Sequence, residues 1–74
     1  MEGISLNQES HFYYFDVEGV GLAVVAIRGV PGAYKVFVSF EEEDERIEIL
    51  VDRAFVPCEA SARGQIEDIL EARQ

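Results

Sequence analysis

Residues 20–40 read Val20-Gly-Leu-Ala-Val-Val-Ala-Ile-Arg-Gly-Val-Pro-Gly-Ala-Tyr-Lys-Val-Phe-Val-Ser-Phe40, and this stretch decides the fold class. It contains two apolar runs, Val20–Ile27 and Tyr34–Phe40, both rich in β-branched and aromatic side chains, joined by Arg28-Gly29-Val30-Pro31-Gly32-Ala33. Pro-Gly suits the two central positions of a type II turn, because proline presets φ at the first and glycine accepts positive φ at the second. The stretch therefore predicts a β-hairpin.

The flanking sequence extends that hairpin into a meander. On the N-terminal side, His11–Val17 places His11, Tyr13, Phe15 and Val17 on one face of a strand and Phe12, Tyr14 and Asp16 on the other. Glu18-Gly19 offers the turn between this strand and the Val20 run. Within that run Val20, Leu22, Val24 and Ala26 oppose Ala23, Val25 and Ile27, so both faces are apolar. Such a strand belongs at the centre of a sheet, with a helix on each side or an interface on one. In the third run Tyr34, Val36, Val38 and Phe40 alternate with Lys35, Phe37 and Ser39, which leaves Phe37 in an aromatic patch on the half-polar face. Before the first strand, only Ile4 and Leu6 alternate, the mark of an arm or a short strand at most.

Residues 41–55 fit two periods. As a helix, Ile47, Leu50, Val51, Ala54 and Phe55 form a continuous i, i+3, i+4, i+7, i+8 stripe, Ser39 and Glu42 form a capping box, and the acids lie at the positive end of the dipole. As a strand, Ile47, Ile49 and Val51 alternate with Glu48, Leu50 and Asp52, and the acid run becomes a hairpin loop lacking the Gly, Pro or Asn that tight hairpins need. We take the helix as the expectation. After Val56-Pro57 a further helix is predicted, with Ala62, Ile66, Ile69 and Leu70 on one face and Glu59, Arg63, Glu67, Asp68 and Glu71 around the rest. Gly64 within it costs about 1 kcal/mol relative to Ala, tolerable where the backbone packs closely on a sheet. The expected fold is one small α+β domain spanning residues 1–74. It is a three- or four-stranded antiparallel meander with one or two helices packed on one face, the last of them C-terminal.

Charge and composition bound the function. Fifteen acids against six bases give a formal charge of −9 across 74 residues. Such a field repels phosphate backbones and anionic membranes, since nucleic-acid affinity rests on Lys and Arg displacing counterions. A basic protein surface is the natural partner, including one that ordinarily holds nucleic acid. Apolar residues make up 49% of the chain, and no run approaches the roughly 20 residues of a membrane span. Met1-Glu2-Gly3-Ile4-Ser5 lacks a signal peptide's basic and apolar regions, and Cys58 is the sole cysteine, so a reducing cytoplasm is expected.

Catalytic constellations are not evident. Cys58 is the single candidate nucleophile and His11 the single histidine, on a different element, so a small packed cysteine is the expectation. One histidine and one cysteine do not make a structural zinc site. Glu41-Glu42-Glu43-Asp44-Glu45 lacks the spacing of a calcium loop, and Gly19-Val20-Gly21 lacks the third glycine and following helix of a dinucleotide fingerprint. No cofactor is implied. Phe12, Tyr13, Tyr14 and Phe15 have the look of a base-stacking sheet, but their neighbours are Asp16 and Glu18 rather than Lys and Arg.

The acids carry the sharpest expectation. Ser39 through Asp52 contains seven carboxylates and one arginine. Besides keeping a small domain soluble, such a segment displays carboxylates at spacings comparable to backbone phosphates, roughly 6–7 Å. The leading expectation is thus a non-enzymatic protein-binding module in which Glu41, Glu42, Glu43, Asp44, Glu45 and Glu48 occupy a basic groove, with nucleic-acid mimicry as the specific form. The alternative is a structural or assembly subunit, a homo-oligomer that buries Phe12, Tyr14 and Phe37. In overall make-up the chain is similar to phage-encoded inhibitors that mimic DNA, such as anti-restriction and anti-CRISPR proteins. That likeness is one of composition, carries no motif and transfers no site residue.

Overall fold

The computed structural model describes residues 9–74, so the Ile4/Leu6 expectation lies outside the described residues. The chain runs β1 (Glu9–Val17), β2 (Gly21–Val30), β3 (Ala33–Phe40), β4 (Arg46–Leu50) and α1 (Glu59–Ala72). The strands form one antiparallel sheet in the order β1-β2-β3-β4. The α+β meander expected from the apolar runs is the observed fold, with four strands and one C-terminal helix.

The central hairpin is tighter than the sequence predicted. β2 continues through Arg28, Gly29 and Val30, and Val30 pairs with Ala33, so only Pro31-Gly32 turns the chain. Gly32 has φ +86°, the value that the third residue of a type II turn requires. Gly29, opposite Tyr34, has φ +125°, and a Cβ there would lie 2.5 Å from the Ala33 carbonyl oxygen. Only glycine lets the two backbones approach this closely.

Period-2 alternation fixes the faces. Ala23, Val25 and Ile27 from β2 and Tyr34, Val36, Val38 and Phe40 from β3 are buried, flanked by half-buried Tyr13, Phe15 and Val17 from β1 and Ile47 and Ile49 from β4. α1 closes this face with Ala62 and Ile66, supported by Ile69 and Leu70, the stripe its sequence predicted. Tyr34 also meets Phe55 edge-on at 6.2 Å, anchoring the connection between β4 and α1. Among the described residues no charged side chain is buried.

Residues 41–55 are not a helix. Residues 41–45 are a loop and Arg46–Leu50 is a strand on β3, with Val38 opposite Ile47 and Val36 opposite Ile49. The helical stripe loses because β3 has a free edge, and pairing it buries Ile47 and Ile49 on a preformed core. Leu50, a member of that stripe, is instead 80% exposed. The loop contains no Gly, Pro or Asn, and tertiary contacts hold it instead. Glu43 N–H donates to the Phe40 carbonyl at 2.9 Å, and Arg73 at the helix C-terminus grips the Glu43 carboxylate in bidentate fashion at 2.9 and 3.0 Å. The Arg73 guanidinium also lies 5.0 Å over the Phe40 ring. Gly64 departs from expectation in another way: a Cβ added there meets nothing within 4 Å, so no close approach to the sheet requires it.

Candidate functional site

α1 covers one face of the sheet, and among the described residues no helix covers the other. The register lays its side chains out in rows across the strands. The first is Ser10–Arg28–Lys35–Leu50, the second Phe12–Ala26–Phe37–Glu48, the third Tyr14–Val24–Ser39–Arg46. A fourth begins with Asp16–Leu22 and gains Glu41, whose N–H donates to the Leu22 carbonyl at 2.8 Å and carries the ladder one residue past β3.

This open face is apolar at its centre and charged at its ends. Phe12 is 49% exposed and Tyr14 64% exposed, while Leu22, Val24, Ala26 and Phe37 are half-buried. The Arg46 guanidinium stacks 4.8 Å over the Phe37 ring. The three aromatic residues singled out from sequence, Phe12, Tyr14 and Phe37, thus lie together on one surface, Phe12 and Phe37 in the same row with Ala26 between them. Arg28 and Lys35 stand at one end beside a hollow of about 240 Å³ lined by Arg28, Gly29, Ala33, Lys35 and Phe37. Asp16 and Glu41 stand at the other end.

The acidic residues do not form one surface. Glu41, Glu42, Asp44 and Glu45 are exposed in the β3–β4 loop, whereas Glu48 sits on β4 opposite Phe37, on the open face. Glu43 is half-buried and committed to Arg73. The hydrogen bond and charge of that guanidinium hold the Glu43 carboxyl below the ordinary glutamate range, with partial desolvation opposing, and the carboxylate in turn raises Arg73 further. The sequence reading missed the cations of the open face. Lys35 was visible in the β3 alternation, but Arg28 was assigned to the hairpin link and Arg46 to the expected helix, so neither was placed on the sheet surface.

Cys58 is the N-cap residue of α1 and makes no side-chain cap bond. Its Sγ lies 3.3 Å from Ser61 Oγ, which itself donates to the Val56 carbonyl at 2.8 Å. The Ser61 hydroxyl, then the backbone N–H groups at the helix start, draw the thiol below its ordinary value against a desolvation cost. His11 lies on the helix-covered face of β1, opposite Ile27. Among the described residues, no group of three or more His, Cys, Asp or Glu side chains is placed to hold a metal ion, and no helix is long and apolar enough to cross a membrane. The chain matches no family model, no curated protein and no solved structure.

Proposed function

We propose that this protein is a small non-enzymatic assembly module that associates through the open face of its sheet. One observation carries the reading: Phe12, Tyr14, Val24, Ala26 and Phe37 form a contiguous apolar surface on the face opposite α1. A two-layer α+β domain ordinarily gives such a face polar side chains, because an exposed antiparallel sheet surface alternates polar-out against apolar-in. Here the outward set of β2, the most apolar strand, is as hydrophobic as its inward set except for Arg28. Burial against a partner recovers that surface from water at about 25 cal/mol per Å², which matters in a chain this small.

The test is sedimentation velocity from about 5 to about 500 µM, the range in which a small, partly polar interface declares itself. The mass of the wild-type chain is expected to rise with concentration, and a Phe12→Asp/Tyr14→Asp variant, altered only on the edge strand β1, is expected to stay monomeric while keeping the wild-type circular-dichroism spectrum and a cooperative unfolding transition. An invariant monomer mass refutes the proposal. So does association that survives the double substitution, because contact would then run through another surface such as a strand edge.

A second reading is favoured by the Arg73–Glu43 clamp, which holds the β3–β4 loop while Glu41, Glu42, Asp44 and Glu45 stay exposed. A loop fixed in this way suits recognition by a basic protein surface, including a nucleic-acid groove that carboxylates occupy in place of phosphates. The two readings part on the residues they need: replacing Glu42, Asp44 and Glu45 by Gln should abolish binding through the loop and leave association through the aromatic face intact, whereas Phe12→Asp/Tyr14→Asp should do the reverse.

A further inference from the structure

The open face is self-complementary, and we propose that its partner is a second copy of this chain, packed face to face about a two-fold axis that runs across the strands. The inference rests on the assembly reading above and specifies its geometry. Three of the six bases in the chain, Arg28, Lys35 and Arg46, lie on this face, where Asp16, Glu41 and Glu48 balance them. In a molecule of formal charge −9, this is a surface on which two copies meet without a local excess of like charge.

The distribution of those charges selects the axis. Two sheets stacked face to face keep their strands within about 30° of alignment, which leaves two principal in-plane two-fold axes. An axis along the strands superposes each end of the face on itself. Arg28 and Lys35 would then meet the partner's Lys35 and the partner's Arg28, a cluster of four cations, while the acidic ends also met. An axis across the strands, between the Phe12–Glu48 row and the Tyr14–Arg46 row, exchanges the ends. Glu48 then faces the partner's Arg46, Phe12 faces the partner's Tyr14, and Lys35 faces the partner's Glu41 beside the hollow under Arg28 and Lys35. By symmetry each pairing occurs twice, as an isologous interface demands.

The size of the face agrees with a weak, closed dimer. Four strands about 4.8 Å apart and four rows about 6.7 Å apart give roughly 500 Å² per copy. A pair therefore covers roughly 1,000 Å², at the lower limit of specific interfaces. Dissociation in the micromolar range is expected rather than nanomolar.

The decisive experiment exchanges charge within the Arg46–Glu48 pair. Arg46→Glu alone makes a chain with two acids at these positions, and Glu48→Arg alone makes one with two bases, so each should self-associate about tenfold more weakly than wild type. An equimolar mixture of the two should restore dimers near the wild-type affinity, as should the Arg46→Glu/Glu48→Arg double variant on its own. Restoration on mixing also shows that both chains are folded. A second measurement needs no substitution: Lys35 is the sole lysine, and a zero-length carbodiimide cross-linker applied to the wild-type dimer should join Lys35 to the partner's Glu41. Dimers that form equally well in all variants, a mixture that stays monomeric, or a Lys35 cross-link to another carboxylate overturns the two-fold arrangement while leaving association through the face intact. A wild-type chain that is monomeric at about 500 µM removes the assembly reading itself.

Discussion

Gly29→Ala is the substitution that tests the hairpin at the base of the open face. Gly29 has φ +125°, and a Cβ at that position falls 2.5 Å from the Ala33 carbonyl oxygen, 3.2 Å from Tyr34 Cα and 3.3 Å from the Ala33 carbonyl carbon. All three are backbone atoms, so the overlap is relieved only by moving the strands apart, not by rotating a side chain. Conformational strain at positive φ costs of order 1–3 kcal/mol, and displacing the paired backbone adds to it, for a total of about 3 kcal/mol. That is a large share of the roughly 4–11 kcal/mol expected for a domain of this size, and it should lower the unfolding midpoint by about 12–24 °C. Gly32→Ala is the internal control: φ is +86°, but a Cβ there meets nothing within 4 Å, so only the strain of about 1–2 kcal/mol applies. Urea and thermal unfolding of both variants measure the difference. Equal costs at the two positions would refute the steric account and, with it, the register that sets Arg28 beside Lys35 on the open face.

Two further predictions concern the helix and the loop it holds. Gly64→Ala should stabilise the domain by about 0.5–1 kcal/mol, since alanine restores helix propensity and its methyl group enters open space; a loss of stability in urea would show that the helix backbone there is crowded after all. The Glu43 carboxyl is held below its ordinary range by Arg73. Its folded-state pKa is therefore depressed relative to the unfolded chain, so its contribution to stability is present above the ordinary glutamate value of about 4.3 and is lost as pH falls through the lower, folded value. Glu43→Gln should flatten the fall in stability below about pH 4.3, and a variant with the wild-type acid profile would place the titration elsewhere.

The fold was legible where one period alone fitted the residues. β1, β2 and β3 alternate with period two, and α1 carries apolar residues at 62, 66, 69 and 70, so strands and helix were assigned correctly from local pattern. Residues 41–55 satisfied both periods, because Ile47 belongs to either and Leu50 and Val51 extend the helical stripe. What decided between them was not local: β3 offered an unpaired edge and two buried residues, Val36 and Val38, against which Ile49 and Ile47 could pack. The missing turn chemistry argued against a hairpin, and the argument failed because Arg73, 30 residues further on, holds the loop through Glu43. A salt bridge of that separation leaves no trace in local sequence.

The surface was harder to read than the fold for the same reason. Counting acids along the chain put Glu41 to Glu45 and Glu48 in one segment, but a strand divides what a helix would have gathered: Glu48 alternates onto the sheet face and Glu41 ends its fourth row, while Glu42 to Glu45 stay in the loop. Reassigning β4 also moved Arg46 from a helix interior to a position over Phe37, and lengthening β2 moved Arg28 from a link to the row of Lys35. With Lys35, which the β3 alternation already places there, Arg28 and Arg46 balance the acids of the open face. Negative charge dominates the molecule as a whole, yet the surface where Phe12, Tyr14 and Phe37 meet water is neutral. A chain shaped only for solubility would extend its acids across that sheet, as it does around α1 with Glu59, Glu67, Asp68 and Glu71. Their restriction to Asp16, Glu41 and Glu48, with the two-fold relation setting Glu41 opposite Lys35, Glu48 opposite Arg46 and Asp16 opposite the neutral Ser10, is the pattern expected of a face that is covered.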